Sequence, residues 1–111
     1  MTDHAFTDNA GACRFELTVD DTVAGYAQYR LEDGVIAFTH TVVETAFEGR
    51  GIGSELASGA LDAARERGLA VLPYCAFIRG YIARHPGYLD LVPADRRAEF
   101  DLPVDGSPAH P

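Results

Sequence analysis

Lysine is missing altogether: all nine basic residues are arginine. That excludes a Walker-type phosphate loop, whose lysine reaches the terminal phosphates, and an enzyme working through a lysine Schiff base. Cysteine is scarce. Cys13 and Cys75 have neither metal-type spacing nor the density of a small secreted framework, so two reduced thiols in a reducing compartment are expected. Positive charge is outweighed, 17 acidic residues to nine basic for a formal net charge of −8. This argues against a nucleic-acid or anionic-membrane surface, since both need concentrated positive charge. No apolar run approaches the ~18–20 residues of a membrane span. The opening "MTDHAFTDNAGA" is acidic and lacks the basic-then-apolar order of a signal peptide, so a cytoplasmic protein is expected.

What is present suffices for one domain. At 111 residues, 47% of them apolar, the chain can bury roughly 60–70% of its unfolded surface without staples. Residues 1–11 are polar and without periodicity and read as a loose leader. "CRFELTV" alternates Cys13, Phe15, Leu17 and Val19 against polar neighbours, the pattern of a half-buried strand. Asp20-Asp21 makes a turn, and "TVAGYAQYRLE" alternates again, with Val23, Ala27, Tyr29 and Leu31 on one face. Asp33-Gly34 suits a hairpin turn needing positive φ. "VIAFTHTVV", 35–43, is apolar on both faces and so central.

The period then changes. Ile52, Leu56, Ala60 and Ala63/Ala64 fall on one helical face, Arg65 and Arg67 lie in the last turn, and Gly68 follows as a C-terminal cap. "LAVLP" reads as a short buried strand and "YCAFIRGYIARH" as a second amphipathic helix stopped by Pro86-Gly87. "YLDLV" reads as one more short strand, and beyond Pro93 a proline-rich, charged stretch reads as a loosely held tail. The order is β-β-β-α-β-α, an antiparallel meander followed by a crossover that makes part of the sheet parallel.

Between the third strand and the first helix stands "FEGRGIGSEL", with glycine at 49, 51 and 53. The first amides of a helix have no intrahelical partner and carry the positive end of its dipole. Glycines remove Cβ atoms that would keep an anion at a distance. Such a turn is either a phosphate cradle, with Arg50 as a nearby charge, or an ordinary glycine-rich connection. The dinucleotide fingerprint G-x-G-x-x-G does not fit, because Ser54 and Leu56 stand where its third glycine belongs.

The context resembles the GNAT-type N-acetyltransferases, and most of all their very short members. Glu48-Gly49-Arg50-Gly51-Ile52-Gly53 is similar to the (Arg/Gln)-x-x-Gly-x-(Gly/Ala) loop of that family at Gly51 and Gly53, with Glu48 in place of the first residue. "FTHTVV" resembles a His-Thr-x-Val strand of the short subfamily, and "LPYCAFIRGYIARHPGY" its Pro-x-Cys-x-Phe…Tyr-Ile…His-Pro-x-Tyr segment. The resemblance implies a reduced GNAT fold of the α/β (α+β) class, with a three-strand meander, helix–strand–helix and a central mixed sheet whose strands splay. It places the domain at 12–93, between the leader 1–11 and the tail 94–111.

The resemblance also implies acetyl-CoA as cosubstrate. The pyrophosphate of coenzyme A would lie on Gly49, Arg50, Gly51, Ile52, Gly53 and Ser54, and its pantetheine arm on backbone groups of Val42 and Val43; no metal is implied. His40 is either a structural residue or the group that takes a proton from the attacking amine. Cys75, opening the second helix, is either a small buried residue or a nucleophile that accepts the acetyl group in a relay, since helix N-termini favour thiolates. Tyr81 is the best match for a proton donor to the departing sulfur, and Tyr74 is a second. Related sequences carry Glu where Val42 stands, so a carboxylate base is absent there; Glu44 could substitute through a water. Larger relatives wall the acceptor site with two helices after their first strand; with only about eleven unpatterned residues before the first meander strand here, that wall is expected to be absent. The expected activity is acetyl transfer from acetyl-CoA to an amine, and an open acceptor side suits a peptide or protein. The alternative is a non-catalytic acyl-CoA-binding or interaction module.

Overall fold

The computed structural model describes residues 3–102. Its order is β1 (His4–Asn9), β2 (Arg14–Val19), β3 (Thr22–Glu32), β4 (Val35–Val43), α1 (Ile52–Glu66), β5 (Ala70–Pro73) and α2 (Ala76–Arg84), with short 3-10 turns between and after them. The strands lie side by side in the order β1-β2-β3-β4-β5. The first four are antiparallel, and β5 joins β4 in parallel after the α1 crossover. This is the mixed α/β architecture expected of a reduced GNAT fold. No helix among the described residues is long and apolar enough to cross a membrane.

Turn chemistry closes the β2–β3 and β3–β4 hairpins. Asp20 and Asp21 adopt φ of 50° and 68°, and Asp33 and Gly34 adopt 46° and 79°, the paired positive values of a tight hairpin turn. Helix α1 buries Ile52, Leu56, Ala57, Ala60, Leu61 and Ala64 against Phe15, Leu17, Tyr29 and Phe38 of the sheet. It ends as the glycine after it demands. With Gly68 at φ 66°, the Gly68 and Leu69 amides donate back to the Arg65 and Ala64 carbonyls at 3.1 and 2.9 Å, which satisfies the last turn. Helix α2 adds Ile78 and Ile82 to the same core.

Five expectations need correction. Within the leader, His4–Asn9 is a strand on the outer edge of the sheet. Phe6 stacks on Phe15 at 5.3 Å and fills the space where a Cβ of Gly59 would stand, 2.7 Å away. Asp8 takes the Tyr29 hydroxyl and pairs with Arg67 at 3.0 Å. Cys13 is not core: it is exposed, in a left-handed conformation after a 3-10 turn. Val23 leaves the Ala27–Tyr29 face because Leu17 pairs with Gly25 and Thr18 with Val23, so the extra residue Ala24 reverses the alternation; Leu31 is 52% exposed at the strand's end. "YLDLV" lies largely in a 3-10 helix, Pro86–Leu91, held by Arg65 on Asp90 and on the Gly87 carbonyl. The tail is not loose through residue 102: two 3-10 turns bring Phe100 and Leu102 into the core. The rest of that expectation, 103–111, lies outside the described residues.

Tyr29 offers a test of the β1 anchor. It is buried, and its hydroxyl donates to Asp8 Oδ1. Burial first, and the Asp8 carboxylate second, push its pKa up to about 12. Because the folded value lies above the ordinary one near 10, the contact's stability is full below pH ~10 and is lost as pH rises through ~12. Tyr29→Phe should cost about 1–3 kcal/mol at pH 7 and flatten the alkaline fall in urea-unfolding free energy. It should not abolish that fall, because Tyr88, partly buried and donating to Asp62, is also raised to about 12. An identical alkaline slope in the variant would count against this anchor.

Candidate functional site

The site is built where β4 loses its second neighbour. The β4–β5 pairing runs from Val35↔Ala70 to Phe38↔Pro73 and stops. One more bond, from the Cys75 amide to the Phe38 carbonyl at 2.9 Å, ends the ladder and starts α2. Past that point, β4 continues to Val43 beside β3 alone, so the two parallel strands part.

A bulge lies at the same place. Tyr29 pairs with Phe38 but Gln28 pairs with His40, which makes Thr39 an extra residue in β4. A bulge reverses the alternation beyond it. Thr41, opposite the buried Ala27, therefore turns to the helix face, and His40, opposite the exposed Gln28, turns to the reverse face. His40 does not share a face with Phe38, contrary to the simple alternation. The Glu44 amide bonds to the Ala24 carbonyl of β3 at 2.8 Å. Backbone groups of successive strand residues point to opposite sides, so Val42 also turns its peptide groups to β3. Val43 and Thr41 present theirs to the opening. Of the two valines, Val43 turns its peptide groups to the opening and Val42 turns its own to β3.

Across that opening stands Cys75, 7% exposed, whose thiol donates to the Thr41 hydroxyl at 3.0 Å. The alternation of "FTHTVV" could not reveal that Thr41 faces Cys75, because no feature of the sequence marks the bulge. Tyr81 is not brought to Cys75. Six residues of helix amount to about 9 Å of rise, and the Tyr81 ring stacks on His85 at 4.0 Å with Tyr88 at 6.0 Å. Tyr74 is turned elsewhere too, its hydroxyl accepting from Arg96 at 3.1 Å.

The glycine turn follows β4 by way of a 3-10 turn at Thr45–Phe47. Gly49 and Gly51 take φ of 81° and 75°, and a Cβ on either would meet no atom within 4 Å. They are there for backbone conformation, and the space beside them is open. Gly51 is the N-cap of α1 and no side chain caps the helix. The first intrahelical bond runs from the Glu55 amide to the Gly51 carbonyl at 3.1 Å; the amides of Ile52, Gly53 and Ser54 have no acceptor within the helix. Arg50 lies beside them, its guanidinium 5.5 Å from the Phe47 ring centre. Gly53 serves another purpose. A Cβ there would lie 2.5 Å from the tip of the Phe77 ring. Phe77, 39% exposed, thus spans the gap between the first turn of α1 and that of α2, two residues beyond Cys75.

Residues 14–91 match a family described as GCN5-related N-acetyl-transferase. The chain belongs to that family. No curated protein matches it. The match takes in this GNAT domain from β2 through the glycine turn, Cys75 and α2 to Leu91. It leaves out β1 and the turns carrying Phe100, both parts of the fold by their packing.

The Gly53–Phe77 contact predicts a coupling between the helices. In a Phe77→Ala background, Gly53→Ala should stabilise by about 0.5–1 kcal/mol through helix propensity. In the unmodified chain the same change must push the ring aside, so the gain should shrink or reverse. A double-mutant cycle by urea unfolding reads the difference. Equal effects in the two backgrounds would show that the ring does not rest on Gly53.

Proposed function

We propose that this domain binds acetyl-CoA and transfers the acetyl group to an amine. The observation that carries the reading is the pairing of two features at one end of β4: a strand edge opened beyond Phe38, and, one 3-10 turn after the strand, an uncapped helix start with two positive-φ glycines. The residues fit a pyrophosphate. The amides of Ile52, Gly53 and Ser54 are free to donate, no Cβ narrows the turn at Gly49 or Gly51, and Arg50 can add a charged bond. The exposed Glu48 side chain would turn away from the anion. The peptide groups of Val43 and Thr41 would hold the arm leading to the opening, with Val42 flanking from the reverse face. When bound, acetyl-CoA supplies an activated thioester.

The chain's own groups then divide the work by face. His40, exposed on the reverse face, would take the proton of an amine arriving from that side, where no helix covers β1 to β3 among the described residues; a peptide or protein amine suits such a surface. Tyr81 would reach a departing sulfur only after leaving its stack on His85. A second reading rests on the Cys75–Thr41 bond. The Cys75 sulfur attacks the thioester carbonyl, the coenzyme A thiolate leaves and takes up the thiol's proton, and the acetyl group passes from Cys75 to the amine. The domain architecture follows the same lines, with the catalytic unit spanning about residues 12–93 and the cytoplasm as its place of work. A binding module without turnover is the rival reading.

Calorimetric titration with acetyl-CoA tests the binding step. Saturable one-to-one binding is expected, weakened about tenfold by Arg50→Gln, the worth of one charged hydrogen bond. Absence of binding would refute the reading. Intact mass after incubation with acetyl-CoA separates the mechanisms. A gain of one acetyl group, abolished with turnover by Cys75→Ala, establishes the relay. Turnover that survives Cys75→Ala leaves direct transfer, and binding without any turnover leaves the module.

A further inference from the structure

The reverse face of the sheet carries a cavity of about 300 Å³ that acetyl transfer leaves unused. Register explains its floor. Arg30 pairs with Ala37, Glu32 with Val35, and Ala37 with Leu72, so these side chains share the face turned away from α1. Val35, Ala37 and Leu72 make the apolar base. The wall is the Tyr74 ring, held edge-on by Phe100 at 5.2 Å.

The charges at the rim are of both signs but are not paired with one another. Arg96 is spoken for: Glu99 grips it through two contacts of 2.6 and 3.1 Å, and it donates to the Tyr74 hydroxyl. Arg30 makes no hydrogen bond or ion pair with any described residue, and neither the Glu32 nor the Asp33 carboxylate does. One guanidinium and two carboxylates without a partner among the described residues therefore border an apolar floor.

That combination discriminates among ligands. A phosphate would meet two carboxylates, and a simple amine would meet Arg30, so each is repelled by one part of the rim. An uncharged apolar molecule would use the floor alone. A ligand carrying both charges close together satisfies the whole rim. The volume lies at the bottom of the ~300–1,000 Å³ range of small-molecule sites, room for a single residue and not for a peptide. We propose that this cavity binds a free, zwitterionic α-amino acid with an apolar side chain. Its carboxylate lies on Arg30, its ammonium on Glu32 and Asp33, and its side chain on Val35, Ala37 and Leu72 against Tyr74. The inference goes beyond the acetyl-CoA reading and does not depend on it.

L-Leucine is the probe, titrated into the 15N-labelled full chain and followed by amide shifts. Saturable shifts are expected around Arg30–Val35, Leu72 and Tyr74. N-acetyl-L-leucine, which lacks the ammonium, and L-leucinamide, which lacks the carboxylate, should each bind at least tenfold more weakly. Arg30→Gln should weaken leucine binding at least tenfold while leaving the amide spectrum elsewhere unchanged, since this exposed side chain holds nothing in the fold; Glu32→Gln should do the same. No saturable shift with leucine, shifts confined to other parts of the chain, or equal binding of either derivative would overturn the proposal.

Discussion

The bond from the Cys75 amide to the Phe38 carbonyl, 2.9 Å long, marks the boundary on which the rest of the site depends. Up to Phe38, β4 is hydrogen-bonded on both edges and buried on both faces at Ile36 and Ala37. Beyond it, the neighbouring chain turns into α2, the bulge at Thr39 reverses the faces, and an open strand edge leads to the glycine turn. A buried strand edge needs partners for its amides and carbonyls. Ending the ladder here leaves a few such groups without a strand partner, at the end of the sheet where α1 also starts without a cap.

Much of this architecture was legible in the sequence because it is written in local chemistry. Two Asp-rich turns at positive φ, the alternation of Phe15, Leu17, Ala27 and Tyr29, the α1 stripe and the Gly68 cap each depend on neighbours a few residues away. The glycine turn was legible for the same reason, although its three glycines have different causes: two permit a backbone conformation, and Gly53 makes room for Phe77. The family loop motif marks the turn but not that division.

What was not legible depends on distant partners. Nothing in "HAFTDN" declares a strand; Phe6 finds Gly59 and Phe15, and Asp8 finds Tyr29 and Arg67, across long stretches of chain. Phe100 and Leu102 sit among charges and prolines, yet each is buried, and Phe100 reaches Tyr74. Strand bulges are decided by how neighbouring strands twist and pack, so His40 and Thr41 exchanged the faces that alternation would assign. That exchange changes the chemistry that can be assigned to the strand, putting a hydroxyl beside Cys75 and an imidazole on the surface from which an acceptor would come.

On the proposed reading, the opening at Phe38 and the start of α1 form one binding surface. Amide shifts of 15N-labelled protein titrated with acetyl-CoA test it most directly. The amides of Gly51, Ile52, Gly53 and Ser54 should move together with those of Thr41, Val43 and Cys75, saturating at one common ligand concentration. Shifts at the glycine turn alone, or separate saturation of the two groups, would contradict it.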